Sequence, residues 1–266
     1  MTNLTTDFEV VKEENLTFVS LYYKLSYMTL QQLYKYQDVI LHTIFEKEKV
    51  LFQGARVILA GGTALARCYL KHRASYDLDF FVSKRFDPML LQRRLRDAGL
   101  LLNSVEAVTD PMYASQLHGM VNVEGETLRL SIVEDIYADM FPVITVKGIR
   151  TEAIEGLYHR KLRTITGTGE IITGTGRVAG KGARQTARDL FDLYVLSKEV
   201  KPIMEFVSEI NNRGANISER ALESGIRNIP WKDLMDEFET LEVAEKYKGI
   251  TAFDVKRYFD ICCRPI

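Results

Sequence analysis

Two short runs, close together in the sequence, carry residue types that can do chemistry. Asp77 and Asp79 flank Leu78 in an apolar run, so in a β-strand both carboxylates point to one face while Leu78 enters the core. Paired carboxylates on one sheet face form a site for hard cations such as Mg²⁺. Upstream, Gly61 and Gly62 separate an apolar run from a helical pattern, where bare backbone N–H groups at a helix N-terminus receive phosphate. A metal pair beside a phosphate cradle predicts chemistry on a nucleotide.

The elements that must position these residues can be predicted from the hydrophobic periodicity. An amphipathic helix begins at Thr29, which forms a capping box with Gln32. A strand, a helix and a second strand then carry the glycines and the aspartates, and a later strand pair is joined by a turn at Glu124 and Gly125. The predicted elements after the first helix are strand 56–60, helix 63–70, strand 77–82, helix 88–98 and strands 117–123 and 127–133. This order predicts a mixed sheet with helices packed on it.

The second half of the chain is predicted to be mainly helical after Pro142, with helices at 151–165 and 183–198. Between these helices, six of the 17 glycines fall in the segment 165–182, which cannot be helical and predicts a mobile hairpin or loop. We therefore expect an α/β (α+β) protein with a core domain at 1–145, including the N-terminal helix, and a mainly helical domain at 146–266.

Composition excludes several classes of protein. With 266 residues, 46% of them hydrophobic, the chain can bury a full core without disulfides. The formal net charge of −1 argues against a globally basic nucleic-acid binder, although seven basic residues and one acid lie between Arg160 and Arg188. No apolar run is long enough for a membrane span, and no signal-peptide pattern is present. A cytoplasmic protein with no membrane partner is expected.

The chain resembles the nucleotidyltransferase superfamily, and more narrowly the AbiEii/AbiGii-type nucleotidyltransferase toxins. The first motif runs from the Gly61-Gly62-Thr63-Ala64-Leu65 segment to Arg73, Ser75 and Asp77-Leu78-Asp79-Phe80. The second motif has Lys161-Leu162 on one predicted helix and Arg188-Asp189-Leu190-Phe191-Asp192-Leu193 on the next. A Gly-Gly turn or an Asp-x-Asp pair alone is common for structural reasons, whereas two motifs in this order are far more specific. The resemblance covers roughly 29–197.

The resemblance implies roles for individual residues. Asp77 and Asp79 would hold Mg²⁺ or Mn²⁺ and would be catalytic, together with Lys161 and with Asp189, which belongs to the same network. Lys161 offers a point charge to the triphosphate of an NTP. Residues expected to bind the nucleotide are Gly61, Gly62, Thr63, Arg73, Ser75, Lys161 and Arg188.

One expected feature is missing from the sequence. Members of the superfamily usually carry a third metal-binding acid on a later strand, and the strand at 127–133 has no acid in its middle. Glu134, Asp135 and Asp110 are candidates for this position, and a site with only two carboxylates is the alternative.

The function implied by the resemblance is transfer of a nucleotide from an NTP to an acceptor such as the tRNA 3′ end. The chain would then be the toxin of a bacterial toxin–antitoxin or phage-defence pair, with a separately encoded antitoxin as its partner. Two alternatives stay open: a small-molecule nucleotidyltransferase of the antibiotic-modifying kind, and a degenerate member that binds nucleotide or RNA without turnover.

Overall fold

The computed structural model describes residues 28–167, 169–172, 178–181 and 185–263. Seven strands form one mixed sheet: β1 Val57–Ala60, β2 Leu78–Val82, β3 Leu102–Val108, β4 Gln116–Val123, β5 Glu126–Glu134, β6 Val143–Val146 and β7 Ile149–Glu152. Their order across the sheet is β3-β4-β5-β2-β1-β7-β6. β1 runs antiparallel to β2 and parallel to β7, and β2 runs parallel to β5. The predicted mixed sheet is therefore confirmed.

The two central strands show different burial patterns. All four residues of β1 are buried, as expected for a strand covered on both faces. In β2, Leu78, Phe80 and Val82 are buried, and Asp79 and Phe81 alternate with them on the other face. β2 begins at Leu78, one residue later than predicted, so Asp77 directly precedes the strand rather than lying inside it.

Four helices accompany the first half of the sheet: α1 Leu30–Glu46, α2 Glu48–Phe52, α3 Gly61–Ala64 and α4 Pro88–Asp97. α1 begins as predicted, because the Thr29 hydroxyl accepts from the Gln32 N–H while the Gln32 side chain accepts from the Thr29 N–H. Leu33, Ile40 and Ile44 of α1 are buried in the core. α3 starts at Gly61, two residues before the predicted helix, and continues as a π-helical turn over Leu65–Leu70.

The second half contains a hairpin that the sequence analysis missed. β6 and β7 pair as antiparallel strands across Lys147 and Gly148, both of which have positive φ. Because Thr151 and Glu152 belong to β7, the helix predicted from residue 151 begins at Ile154 instead. The boundary predicted between residues 145 and 146 falls within β6, and the sheet continues to Glu152. The division into two domains stays a prediction.

Six helices follow: α5 Ile154–Thr166, α6 Ala187–Glu199, α7 Ile203–Asn212, α8 Glu219–Arg227, α9 Trp231–Glu239 and α10 Ala252–Cys262, with a 3₁₀ turn at Glu245–Tyr247. Within the Gly-rich segment, β8 Gly169–Ile172 and β9 Val178–Lys181 form a separate two-stranded hairpin. The segment between these two strands lies outside the described residues.

The helices share one continuous hydrophobic core with the sheet. On α5, Leu157 and Leu162 are buried, and the ring of Tyr158 stacks on Phe206 of α7 with centroids 4.0 Å apart. This packing fixes α5 over the face of the sheet that carries Asp79. Within the part of the chain that the structure describes, no helix is long and apolar enough to cross a membrane.

Candidate active site

A cleft of about 310 Å³ lies between the sheet face that carries Asp79 and the helices α5 and α6. Five of the predicted site residues line it: Gly61, Asp77, Asp79, Lys161 and Asp189. The sheet contributes four polar residues that the sequence analysis did not assign to the site: Gln116, His118, Arg129 and Ser131. A larger cavity of about 620 Å³ lies beside α4 and is lined by none of the predicted site residues. The cleft is therefore the candidate active site.

The two glycines are required by close approach at the start of α3. Gly61 has a φ of +66°, and a Cβ there would lie 2.3 Å from Asp79 Oδ2. A Cβ on Gly62 would lie 2.3 Å from the guanidinium of Arg73 and 3.0 Å from the Ser75 hydroxyl. Any larger residue would displace a carboxylate or a guanidinium, so this turn determines where Asp79 stands.

Thr63 and Ser75 support the segment that carries Asp77. The Thr63 hydroxyl is wholly buried, donates to the Asp77 carbonyl and lies 3.0 Å from the Ser75 hydroxyl. Arg73 is also buried and donates to the Ala74 carbonyl. These three side chains thus lie behind the cleft wall, and their contact with a nucleotide stays a prediction.

Asp192 of α6 is the centre of a buried ion cluster. Arg73 binds it with two hydrogen bonds, Nε to Oδ1 at 2.6 Å and a terminal nitrogen to Oδ2 at 2.8 Å. His72 Nε2 lies 2.6 Å from the same carboxylate. Burial alone would raise the pKa of Asp192, but Arg73 and then Lys161 hold that pKa well below its usual range. Asp192 therefore stays ionised and ties the segment before β2 to α6.

Lys161 of α5 reaches the same cluster from the cleft side. Its ammonium lies 2.6 Å from Asp189 Oδ1 and 2.7 Å from Asp192 Oδ2, and the Thr186 hydroxyl donates to the other oxygen of Asp189 at 2.9 Å. Burial opposes the charged form of Lys161, but Asp189 and then Asp192 outweigh it and raise its pKa. The ammonium donates a hydrogen bond to Asp189, and Lys161 lines the cleft, where the same group can donate to a ligand.

Arg188, the residue before Asp189, joins the helices to Asp77. Its guanidinium lies 3.4 Å from Asp77 Oδ2, and both side chains are partly exposed. The exposed side chain of Arg188 can exchange this carboxylate for a ligand at low cost, because a partly exposed ion pair contributes little stability.

The candidates for a third acid are engaged elsewhere. Asp135 pairs with Arg160 at 2.9 Å, Glu134 accepts from the Ser115 N–H, and Asp110 accepts from the Met112 N–H. In the sheet, the residue level with Asp79 on β5 is Ser131. Among the described residues, no group of three or more His, Cys, Asp or Glu side chains could hold a metal ion.

The donor set nevertheless fits a divalent cation of the Mg²⁺ type. Mg²⁺ is commonly held by one or two carboxylates, with water and substrate phosphate oxygens completing the coordination. Asp77 and Asp79 both line the cleft and offer hard oxygen donors. Two carboxylates on one wall of an open cleft match this chemistry, and the substrate would supply the remaining ligands.

The polar sheet wall is the part of the cleft that sequence reasoning missed. Asp192, by contrast, belongs to the second motif, and its spacing of three residues from Asp189 places both on one face of α6. The wall residues gave no such signal, because a polar residue alternating with apolar ones reads as the solvent face of a strand.

Comparisons with known proteins show what this chain is similar to. The family model for the nucleotidyl transferase AbiEii toxin of type IV toxin–antitoxin systems matches residues 49–254 of the 266. JHP933 from Helicobacter pylori is 20% identical, with 85% of this chain and 92% of that chain covered and a TM-score of 0.44. MenT4, a nucleotidyltransferase toxin of Mycobacterium tuberculosis, is 20% identical over 78% of this chain and 66% of that chain, with a TM-score of 0.42. None of the curated protein sequences is similar enough to match.

The family match is the comparison that identifies the chain, since it spans both sequence motifs and reaches from α2 to α10. The cleft described above lies wholly within the matched residues. The chain therefore belongs to the AbiEii nucleotidyl transferase toxin family, and it is a nucleotidyltransferase.

Proposed function

We propose that this enzyme transfers a nucleotide from an NTP to the 3′ end of a tRNA in a reaction that depends on Mg²⁺ or Mn²⁺. The protein would act in the cytoplasm as the toxin of a toxin–antitoxin or phage-defence pair. One observation carries the proposal: three separate segments of the chain, carrying Asp77 with Asp79, Lys161 and Asp189, line a single cleft.

Different residues of the cleft would stabilise different charges that arise in the reaction. Nucleotidyl transfer builds negative charge on the α-phosphoryl oxygens and on the leaving pyrophosphate. Lys161, held by Asp189 and Asp192, would direct its ammonium at this charge. The Gly61 turn would present backbone N–H groups to the phosphates at the start of α3. A cation held by Asp77 and Asp79 would neutralise the triphosphate and lower the pKa of the attacking hydroxyl.

Labelling identifies the acceptor directly. Each α-³²P-labelled NTP is incubated with the protein and Mg²⁺ in the presence of total RNA, total protein or aminoglycosides, with EDTA as the control. We expect label at the 3′ end of tRNA and none with EDTA. Labelled aminoglycoside would favour the small-molecule alternative. Tight NTP binding without pyrophosphate release would favour a degenerate member of the family.

Two substitutions test the role of the carboxylates. Asp77→Asn and Asp79→Asn should each lower transfer by about 10²–10³-fold or more, because each removes a charge that holds the cation. The melting temperature should change little, since both side chains face the cleft rather than the core. Asp97→Asn on the exposed face of α4 is the matched control and should stay fully active. Turnover close to wild type in either cleft variant would remove the basis of the proposal.

The antitoxin is tested in cells. Expression of the wild-type chain alone should arrest growth, and co-expression of the neighbouring reading frame should restore it. The Asp79→Asn variant should be harmless without the neighbour. Arrest by this variant would mean that toxicity does not come from nucleotide transfer.

A further inference from the structure

Asp77 and Asp79 lie between two flanks of the sheet: β1 is on one side of β2, and β5 followed by β4 is on the other. Gly61, at the end of β1, touches Asp79 from one side. On the other side, β5 runs parallel to β2 with Leu78 level with Leu130 and Asp79 level with Ser131. Continuing this register places Arg129 level with Asp77, about 5 Å away across neighbouring strands. His118 of β4 lies next to Ser131 and extends the same wall.

Arg129 carries the positive charge on the wall that β4 and β5 contribute to the cleft. It is exposed, and its side chain forms no hydrogen bond or ion pair with any described residue. His118 beside it is held neutral at physiological pH, because burial and then the charge of Arg129 lower its pKa. Its Nε2 also lies 3.0 Å from the Gln116 amide oxygen.

The opposite wall differs, because its cations are already matched by acids. Arg160 binds both carboxylate oxygens of Glu152, and Lys161 lies between Asp189 and Asp192. An unmatched guanidinium therefore faces the cleft from the sheet side, where it can bind an anion at no cost in broken ion pairs.

The geometry of phosphoryl transfer assigns the two flanks to different parts of the reaction. The attacking and leaving oxygens lie roughly in line through the phosphorus. In the proposed reaction, pyrophosphate would leave toward the Gly61 turn and Lys161, and the attacking hydroxyl would enter from the flank of β5 and β4. Glu106 of β3, level with His118 on the far side of β4, places a negative charge on the outer part of the sheet. Among the residues that β4 and β5 contribute to the cleft lining, Arg129 is the one whose charge attracts an anionic acceptor.

We propose that Arg129 binds the internucleotide phosphate next to the acceptor's 3′-terminal hydroxyl, so that the cleft selects a polynucleotide end. In the reaction, the acceptor oxygen forms the new bond to the α-phosphorus while the bond from that phosphorus to the departing pyrophosphate breaks. The hydroxyl proton passes to solvent. This assignment rests on the proposed transfer to an RNA end and deepens it, because it names the residue that recognises the acceptor.

The test pairs a protein change with a change in the acceptor. With total tRNA, Arg129→Gln should raise the KM for the acceptor about tenfold, leave the KM for NTP unchanged and reduce the salt slope of acceptor binding by about one phosphate contact. Arg93→Gln, an exposed arginine on α4 outside the cleft, is the matched control and should behave as wild type. A semisynthetic tRNA with a neutral methylphosphonate as its last linkage should bind wild type as weakly as Arg129→Gln binds normal tRNA. The neutral linkage should cause no further loss of acceptor binding when the enzyme is Arg129→Gln.

Each result is decisive. Additive losses from the variant and the neutral linkage would show that Arg129 contacts another part of the acceptor and would overturn the assignment, as would an unchanged acceptor KM. Transfer to a protein or an aminoglycoside would overturn it too. A wild-type enzyme that labels nothing would refute the proposed function itself, whereas active transfer to tRNA with no effect of Arg129→Gln would refute this assignment alone.

Discussion

Gly61 allows a direct test of the contact between the helix start and Asp79. Gly61→Ala would place a methyl group against Asp79 Oδ2 and would force the carboxylate aside. We expect a loss of transfer of at least about 10²-fold, the scale for disturbing one preorganised charged group in an active site. Steady-state rates and the free energy of unfolding are measured together.

Gly54 provides the control, because its φ is +79° and a Cβ there would meet nothing within 4 Å. Gly54→Ala suffers the same backbone strain, about 1 kcal/mol or somewhat more, without touching the cleft. It should lose stability and keep its activity. Equal activity losses in the two variants would mean that strain, and not displacement of Asp79, is responsible.

His159 should make the stability of the protein depend on pH. The side chain is wholly buried against Tyr137 and Phe141, and burial, with Arg163 and Arg160, lowers its pKa to about 3. The folded pKa lies below the unfolded value near 6.5, so below pH 6.5 the unfolded chain binds a proton that the folded protein excludes. The contribution of neutral, buried His159 to the free energy of unfolding is therefore fully present above pH 6.5. It falls by about 1.4 kcal/mol per pH unit as the pH drops toward 3.

Urea denaturation at pH 7 and pH 5 measures this effect. The wild type should lose about 2 kcal/mol more than His159→Gln between these two values. His42→Gln serves as the control, because His42 is exposed beside Glu46 and its removal should leave the difference unchanged. If His159→Gln shows the wild-type pH dependence, the burial of His159 does not control it.

At the scale of elements, Lys161 holds α5 against α6. Lys161→Met would leave Asp189 and Asp192 buried with one cationic partner fewer, a change that typically destabilises a protein by about 3–5 kcal/mol. Lys232→Met on the exposed face of α9 should change stability by no more than about 0.5 kcal/mol. The midpoint of urea unfolding is the measurement, and similar midpoints for both variants would contradict a structural role for Lys161.

The elements that the sequence predicted well are those determined by local chemistry. The capping box of Thr29 and Gln32 fixes the start of α1, and the alternation of Leu78, Asp79 and Phe80 fixes the faces of β2. Both signals lie within a few residues of the feature they predict. The β6–β7 hairpin also had a local signal, the Lys147-Gly148 turn, but its four-residue strands are too short for periodicity to separate them from a helix.

The burial of the site residues could not be predicted in this way. Arg73 is buried because Asp192, 119 residues later, neutralises it. Lys161 is 7% exposed because α6 supplies its two acids. Such partners come from tertiary contacts, which periodicity within one element does not contain.

At the scale of the whole molecule, the charge of the Gly-rich segment separates an RNA acceptor from a small one. Arg177 and Arg184 lie outside the described residues, and Lys181 ends β9. Replacing all three by Ser should weaken binding of tRNA and leave NTP affinity unchanged. The slope of tRNA affinity against salt concentration should fall by up to about three phosphate contacts. Filter binding of tRNA across a series of salt concentrations measures this. An unaltered salt slope would show that the segment does not touch the acceptor.

The ion cluster around Asp192 also has a consequence for synthesis of the protein. Ribosomes add roughly 5–20 residues per second, so Asp192 emerges roughly 6–24 s after Arg73, which precedes it by 119 residues. During that interval the nascent chain carries Asp77 and Asp79 without the acids that hold Lys161. A message broken before the codons of α6 would yield fragments that cannot assemble the cleft. The cell is thus exposed to an assembled cleft only after α6 has been translated.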